Sequence, residues 1–285
     1  MLMFQKGDFM FSFDLKSGYH HVDIYEPHRK FLGFQWAVKG KPKFYVFTVL
    51  PFGLSTACYA FTKLLRPLVK YWRGRGLRVL LYLDDGIVAV AGEEAAKLAS
   101  QRVREDLVKA GLVEHSAKCI WEPTAKLKWL GFDIDLGIGQ ISVPADKLCS
   151  RKAQLQIAAQ NAQIKAKSLA SITGKIISMS IAMGSVTRLM TRSMYALLNT
   201  QHFWCQNLTI TDSVQEEISF WLQQIDTFNG QGLWHTPSAV RMVYADASST
   251  GYAGYTVEHG CYIAHGPWTA KEATRSSTWR ELRAV

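Results

Sequence analysis

Apolar positions along residues 1–142 alternate between a period of two and a period near four, so strands and helices are interleaved there. Phe9–Asp14 is apolar, rich in aromatics and ends in a carboxylate, which predicts a buried strand. Phe44–Leu50 predicts a second strand, stopped by Pro51. Ser55–Trp72 predicts a helix capped by Ser55 or Thr56, kinked at Pro67 and ended by Gly74 and Gly76. Arg78–Leu83 and Ile87–Ala91 read as two strands joined by Asp84-Asp85-Gly86, a hairpin signal. Ala96, Ala99, Val103, Leu107 and Ala110 form one stripe of a helix over Glu93–Ala110, closed by Gly111. Trp129–Leu136 returns to strand.

Beyond Pro144 the pattern turns helical and basic up to Thr200, with breaks expected at Gly174 and Gly184. Asp212–Phe228 predicts one more helix, carrying Trp221. Gly230-Gln231-Gly232 then introduces strands at Arg241–Ala247, Tyr252–Val257 and Cys261–Ala264. Thr278-Trp279-Arg280-Glu281 has the form of a capping box opening a last helix. No internal repeat is visible, and the change of pattern places a boundary within 205–235.

Composition adds little except through charge. Hydrophobic residues at 48% and charged residues at 20% allow a buried core and exclude a disordered chain. The stretch Phe44–Thr62, poor in charge, contains the Pro51-Phe52-Gly53 breaker, which argues against a membrane span. The start has no basic segment followed by a long apolar one, so no secretory signal is expected. Five cysteines without a Cys-x-x-Cys pair suggest reduced thiols in an intracellular compartment, cytoplasmic or nuclear. The net charge is +10, and no acid occurs between Glu26 and Asp84 or between Asp146 and Asp212. Read blandly these are solvated lysines; the two long gaps favour polyanion binding by counterion release. Lys63, Arg66, Lys70 and Arg73 recur at three and four residues, hence on one helix face.

The candidate chemistry is acidic. Asp84 and Asp85 are adjacent at the tip of an apolar hairpin, a costly placement unless a cation or turn hydrogen bonds compensate. Alone they would read as an Asx turn. Asp14 also ends a strand, beside Lys16 and the small Ser17-Gly18. Three strand-end acids in a basic region suit hard divalent cations, with phosphate oxygens completing the coordination.

FSFDLKSGYHHV, VLPFGLSTACYAF, YLDDGIVAV, GLVEHSAKC and KWLGFDID, in this order, resemble the successive palm motifs of retroelement reverse transcriptases. HRKFLGF, FTKLLRPLVKYWR and WEP look most like the DIRS-type, tyrosine-recombinase group of retrotransposons. The resemblance implies an α+β fold: a right-hand polymerase palm with a split βαβ-type antiparallel sheet, incomplete fingers and a helical thumb or connection. It implies an RNA-directed DNA polymerase with two magnesium (or manganese) ions held by Asp14 and Asp85, with Asp84 beside them and the Leu15 carbonyl assisting. Tyr19 falls where the family stacks an aromatic under the sugar and excludes a 2′-hydroxyl. Phe52 lies in the loop lining the nucleotide pocket, where some relatives have Gln, and Lys118 matches a lysine near the triphosphate. Trp129-Leu130-Gly131 resembles the primer-grip hairpin; its alternative is a core strand.

VYADASSTGYAGYTV and TWRELRAV resemble the start of a retroelement RNase H domain, with Asp246 and Glu281, in the first turn of its helix, matching its first two metal-binding carboxylates. The implied organisation is a palm with a remnant of fingers at 1–142, a basic thumb or connection at 143–235, and a truncated RNase H-like α/β part at 236–285. The sequence is thus expected to be an internal fragment of a longer polyprotein. Implied partners are an RNA or DNA template with a DNA primer, RNA–DNA hybrid and deoxynucleoside triphosphates, with no membrane. The rival readings are a nucleic-acid-binding remnant without catalysis and another two-metal palm enzyme such as a nucleotide cyclase, which Tyr19 and the RNase H start disfavour. His20-His21, expected in a strand with side chains on opposite faces, and His115 with Cys119 are poor metal candidates.

Overall fold

The computed structural model describes residues 3–234, 243–256 and 262–284. The chain forms two compact units, Met1–Trp234 and His235–Val285. Among the described residues no helix is long and apolar enough to cross a membrane.

The centre of the first unit is β1 (Asp8–Asp14). It lies between β5 (Asp85–Ala91) and β6 (Ile120–Thr124), with β4 (Arg78–Tyr82) outside β5, in an antiparallel sheet ordered β4-β5-β1-β6. Two helices, α2 (Ala57–Gly74) and α3 (Glu93–Lys109), cover one face, where Phe11, Phe13, Phe61, Leu65, Trp72, Val88, Val103 and Leu107 are buried together. The opposite face, carrying Met10, Ile87 and Ala89, packs on Leu127, Ile134 and Leu136. Burial on both faces explains why β1 is nearly continuous in apolar residues rather than alternating. Trp72 fixes the helix pair by donating its indole N–H to Asp106 at 3.0 Å.

Several expected elements take a different form. The predicted strand Trp129–Leu136 is a hairpin, β7 (Lys126–Trp129) and β8 (Phe132–Asp135), because Leu130 and Gly131 adopt φ of 46° and 80° and turn the chain. With β9 (Gln140–Ser142) and β12 (Gln231–Gly232) it makes a second sheet, ordered β12-β9-β8-β7. The strand expected at Phe44–Leu50 starts and ends earlier, as β3 (Lys41–Val46). It pairs with β2 (Gly33–Val38), which periodicity did not suggest, across the positive-φ turn Lys39-Gly40. His20-His21 belongs to a 3-10 turn, Gly18–His21, not a strand. His21 is fully used there: Nδ1 meets the Gly18 carbonyl at 3.1 Å and Nε2 accepts the Val113 N–H at 3.0 Å.

The helical region packs α4 (Ala145–Ala159), α5 (Ala166–Ser178), α8 (Arg192–Leu198) and α9 (Asp212–Phe228) around Leu155, Leu169, Ile176, Met194, Ile218 and Trp221. Gly174 does not break α5, since neighbouring Ile172, Thr173 and Ile176 bury on one stripe; Gly184, at φ 76°, does end the next short helix. Glu217 is buried on α9, and its two oxygens accept the N–H groups of Ser193 (2.7 Å) and Met194 (2.9 Å), the open N-terminal donors of α8. Glu217→Ala leaves both donors unpaired in the core and is expected to cost about 2–4 kcal/mol in urea unfolding. An unchanged midpoint would mean that water replaces the carboxylate.

The second unit holds an antiparallel meander, β13 (Val243–Ala247), β14 (Gly251–Thr256) and β15 (Ile263–Pro267), against which α11 (Ser277–Ala284) packs. The expected strand start at Arg241 and the thiol of Cys261 lie outside the described residues. The capping box is not at Thr278. It is at Thr269, whose hydroxyl accepts the Glu272 N–H while the Glu272 carboxylate accepts the Thr269 N–H. Thr278 already sits inside α11, so Glu281 falls in the second helical turn rather than the first.

Candidate active site

The ladder register brings the carboxylates together. Asp14, the last residue of β1, is paired directly with Asp85, the first residue of β5. Paired residues share a face, and alternation puts both on the side of Met10 and Ile87, away from the two covering helices. The turn between β4 and β5 is Leu83-Asp84, with Tyr82 opposite Asp85, so the predicted Asp84-Asp85-Gly86 turn is shifted. Leu83 takes φ 54° in a two-residue hairpin, a conformation for which glycine is the usual choice. Gly86 is needed for packing instead: a Cβ there would lie 2.2 Å from the Phe13 ring.

Each acid is held by the backbone around it. The Asp84 carbonyl accepts the Leu15 N–H at 3.0 Å, which ties the hairpin tip to the end of β1, and Leu15 itself is buried. Asp14 is framed by Cys119, whose sulfur accepts its N–H at 3.4 Å and donates to its carbonyl at 3.6 Å. The His115 N–H also donates to that carbonyl, at 2.8 Å. Lys118 donates to the Asp14 carboxylate at 3.2 Å, and this bond raises the pKa of the ammonium. Burial, then the negative charges of Asp14 and Asp84, push Asp85 up to about 6 against the opposing charge of Lys118. More negative charge is therefore gathered here than one lysine compensates. A compact, oxygen-only, acid-rich donor set of this kind fits a hard divalent cation. Among the described residues no three or more His, Cys, Asp or Glu side chains are arranged to hold a metal unaided, so other oxygens would have to complete the coordination.

Beside the acids is an aromatic wall. Tyr19 packs on Phe52 (ring centroids 5.1 Å) and edge-on to Phe61 (5.3 Å). Its hydroxyl lies 2.9 Å from the Cys58 sulfur, and that bond is the main reason its pKa is pushed up to about 12. Gly18 permits this packing, because a Cβ would sit 2.7 Å from the Phe61 ring and 3.3 Å from the Asp84 Cβ. Phe52 is exposed and also touches the His20 ring.

Of the expected site residues, Asp14, Leu15, Asp84, Asp85 and Lys118 share one cluster, with Tyr19 and Phe52 adjoining. Cys58 and Phe61 carry no signal of a site role in the sequence; Gly18 stands out there only as a small residue near Asp14, and nothing in the spacing of Cys119 reveals that it backs Asp14. Lys63, Arg66 and Lys70 line the exposed face of α2 as expected. Arg73 differs: its guanidinium donates to the Val79 carbonyl at 3.2 and 2.7 Å, fastening α2 to β4. In the second unit Asp246 lies on β13, its carboxylate accepting the Ala247 N–H, and Glu281 lies on α11, which packs along that strand.

This central antiparallel sheet with acids at a β1–β5 strand end, flanked by helices and followed by a helical region, is the reverse transcriptase polymerase fold. Residues 4–134 match the family model of the reverse transcriptase (RNA-dependent DNA polymerase). The chain is similar over 99% of its length to the foamy viral protease-reverse transcriptase solved with an RNA/DNA hybrid, at 17% identity and TM-score 0.66. It is similar over 97% to the same foamy viral protein solved with double-stranded DNA, at 17% identity and TM-score 0.65. It spans 36% and 54% of those two chains. No curated protein sequence matches it.

Proposed function

We propose that the chain carries the polymerase centre of a retrotransposon reverse transcriptase, of the DIRS-type group its motifs resemble. The carrying observation is the direct pairing of Asp14 with Asp85, with Asp84 in the adjoining turn. Asp14 and Asp85 would hold magnesium or manganese ions, with Asp84 and the Leu15 carbonyl beside them. When bound, two such ions supply activation of a primer 3′-hydroxyl and neutralisation of the pyrophosphate leaving group. The chain's own groups do the positioning. Cys119 and His115 hold the Asp14 backbone, the Asp84–Leu15 bond holds the hairpin tip, and the Lys118 ammonium supplies positive charge for a triphosphate. The templated assay is extension of a DNA primer on RNA and on DNA by the 285-residue chain with magnesium or manganese. Absence of nucleotide addition on both templates overturns the reading.

Tyr19 and Phe52 form the wall against which the sugar of an incoming deoxynucleotide would rest. Tyr19 is pinned by Cys58 and Phe61, so it cannot swing away from a 2′-hydroxyl. Tyr19→Ala is expected to raise ribonucleotide incorporation relative to deoxynucleotide by about a hundredfold, the weight of a steric clash near 3 kcal/mol. Equal discrimination by both proteins would reduce Tyr19 to a packing residue.

The exposed face of α2 is the proposed contact for template or primer phosphates, through Lys63, Arg66 and Lys70. Replacing these three by Ala should flatten the dependence of log affinity on log salt by roughly one unit each. Arg73→Ala, which breaks a helix–strand tie, should instead lower the unfolding midpoint; an unaltered slope in the triple variant would assign the face to solubility. The second unit is the proposed start of an RNase H-like domain acting on RNA–DNA hybrid, supported by its meander, its packed helix and the placement of Asp246 and Glu281 on them.

A further inference from the structure

Tyr19 is clamped by a single helix at two points. Cys58 and Phe61 stand three residues apart at the start of α2 and so share a face. The Phe61 ring meets Tyr19 edge-on at 5.3 Å, and the Cys58 sulfur lies 2.9 Å from the Tyr19 hydroxyl. The two contacts differ in kind. Phe61 is fully buried and fixes the body of the ring. Cys58 is exposed, belongs to no buried cluster and reaches the tip of the phenol. Helix formation gives no reason for a cysteine there, since alanine is the better helix former.

The tip is the part of the ring with most freedom to move. A tyrosine turns about two side-chain bonds, and a small rotation displaces the hydroxyl farther than the rest of the ring. Phe52, the other aromatic neighbour in the wall, is 70% exposed and can yield. Among the described residues no group other than Cys58 hydrogen-bonds the phenol oxygen. The phenol also keeps its proton, its pKa being pushed up to about 12, first by the bond to Cys58, then by burial. The tether is therefore intact at neutral pH.

We propose that Cys58 is a positioning residue for sugar selection: its thiol anchors the Tyr19 hydroxyl and so sets the room left at the 2′ position of an incoming nucleotide. The inference rests on the polymerase reading and on the place of Tyr19 in the sugar wall. It adds that the tyrosine does not set that wall alone. Loss of the anchor lets the ring tilt but leaves it in place, so the effect is smaller than that of Tyr19→Ala. A net hydrogen bond is worth about fivefold, against about a hundredfold for the whole ring.

The experiment measures kcat/KM for ribonucleotide and deoxynucleotide addition by the whole chain and its variants. Cys58→Ala should raise the ribonucleotide share about fivefold. Cys58→Ser, which restores a hydrogen-bonding group, should return it towards the wild-type ratio. Tyr19→Phe removes the same bond from the other side and should give the same shift. The two changes combined should give no more than either alone, because one bond cannot be lost twice. A second readout needs no nucleotide: the ring Cζ carbon resonance of Tyr19 in ¹³C-tyrosine protein, identified by its absence in Tyr19→Phe, should move in Cys58→Ala and much less in Cys58→Ser. An unmoved resonance in Cys58→Ala overturns the tether. A moved resonance with an unchanged nucleotide ratio, or shifts that add in the double variant, overturns the role in selection. A lower melting temperature with both nucleotides slowed alike makes Cys58 a packing residue and also overturns it. Absence of all nucleotide addition by the wild-type chain, with the resonance responding as expected, is the separate failure of the polymerase reading, and the selection role falls with it.

Discussion

Asp85→Asn is expected to lower templated primer extension by at least about a thousandfold while leaving primer–template affinity within about twofold. The side chain keeps its shape and loses only its charge. That charge is one of two carboxylates facing each other across β1 and β5, and nothing nearby replaces it: Asp84 is in the turn, and Lys118 is of the opposite sign. Stability should move the other way. Asp85 titrates near 6, above the usual aspartate range, because burial and two neighbouring acids disfavour its ionised form. A raised carboxylate pKa means that the folded state binds more protons than the unfolded one, so stability falls as pH rises through the interval from about 4 to 6. Above that interval the wild-type protein carries the repulsion and Asp85→Asn does not. Without added metal, the variant should therefore melt at or above the wild-type temperature at pH 8, with the difference fading towards pH 4. A variant that is inactive and also less stable at pH 8 would point to collapse of the hairpin rather than loss of a charge.

The outline of this centre was legible because strong local signals coincided with tertiary ones. Asp14 stands at the end of an apolar run, and the Tyr82–Asp85 segment joins two more, so periodicity alone placed the acids at strand ends. The helices α3 and α9 were legible for a similar reason: an unbroken apolar stripe with clear stops. Local spacing misled where the deciding partner is distant in sequence. Asp84-Asp85-Gly86 has the chemistry of a hairpin turn, yet the chain turns one residue earlier, through a leucine at positive φ. Pairing of Asp14 with Asp85 and of Phe13 with Gly86 sets the register, and tertiary packing outweighs the preference of the turn. Trp129–Leu136 misled in the opposite sense: alternating apolar residues at Phe132, Ile134 and Leu136, continued backwards through Trp129, concealed a two-residue turn at Leu130-Gly131. The β2 strand was missed because neither face alternates towards a core; all but one of its residues are exposed. Cys58 and Cys119 carry no pattern at all, and only the folded chain brings them to Tyr19 and Asp14.

The second large effect is expected from the smallest change at the site, Gly86→Ala. Gly86 has no need of unusual backbone freedom; it lies within β5, directly opposite Phe13. A methyl group there would meet three atoms of the Phe13 ring at 2.2, 2.5 and 2.6 Å, closer than any van der Waals contact allows. The ring cannot retreat, because it is buried, lies parallel to Trp121 at 6.0 Å and edge-on to Trp72 at 5.9 Å. Overpacking of this kind costs about 1–3 kcal/mol in unfolding measurements, since β5 has to move relative to β1. Asp85 is the next residue along, so the displacement is passed to the acid pair itself. A shift of about 1 Å in a reacting group costs roughly a hundredfold in rate, and primer extension should fall by about that factor in protein that is still folded. Phe13→Leu removes the obstructing ring edge, and combined with Gly86→Ala it should recover part of both losses, the non-additivity expected of residues in contact. Additive losses in the double variant, or an alanine tolerated without change in melting temperature, would show that the ring does not press on this glycine, and the packing origin of the register would fall with it.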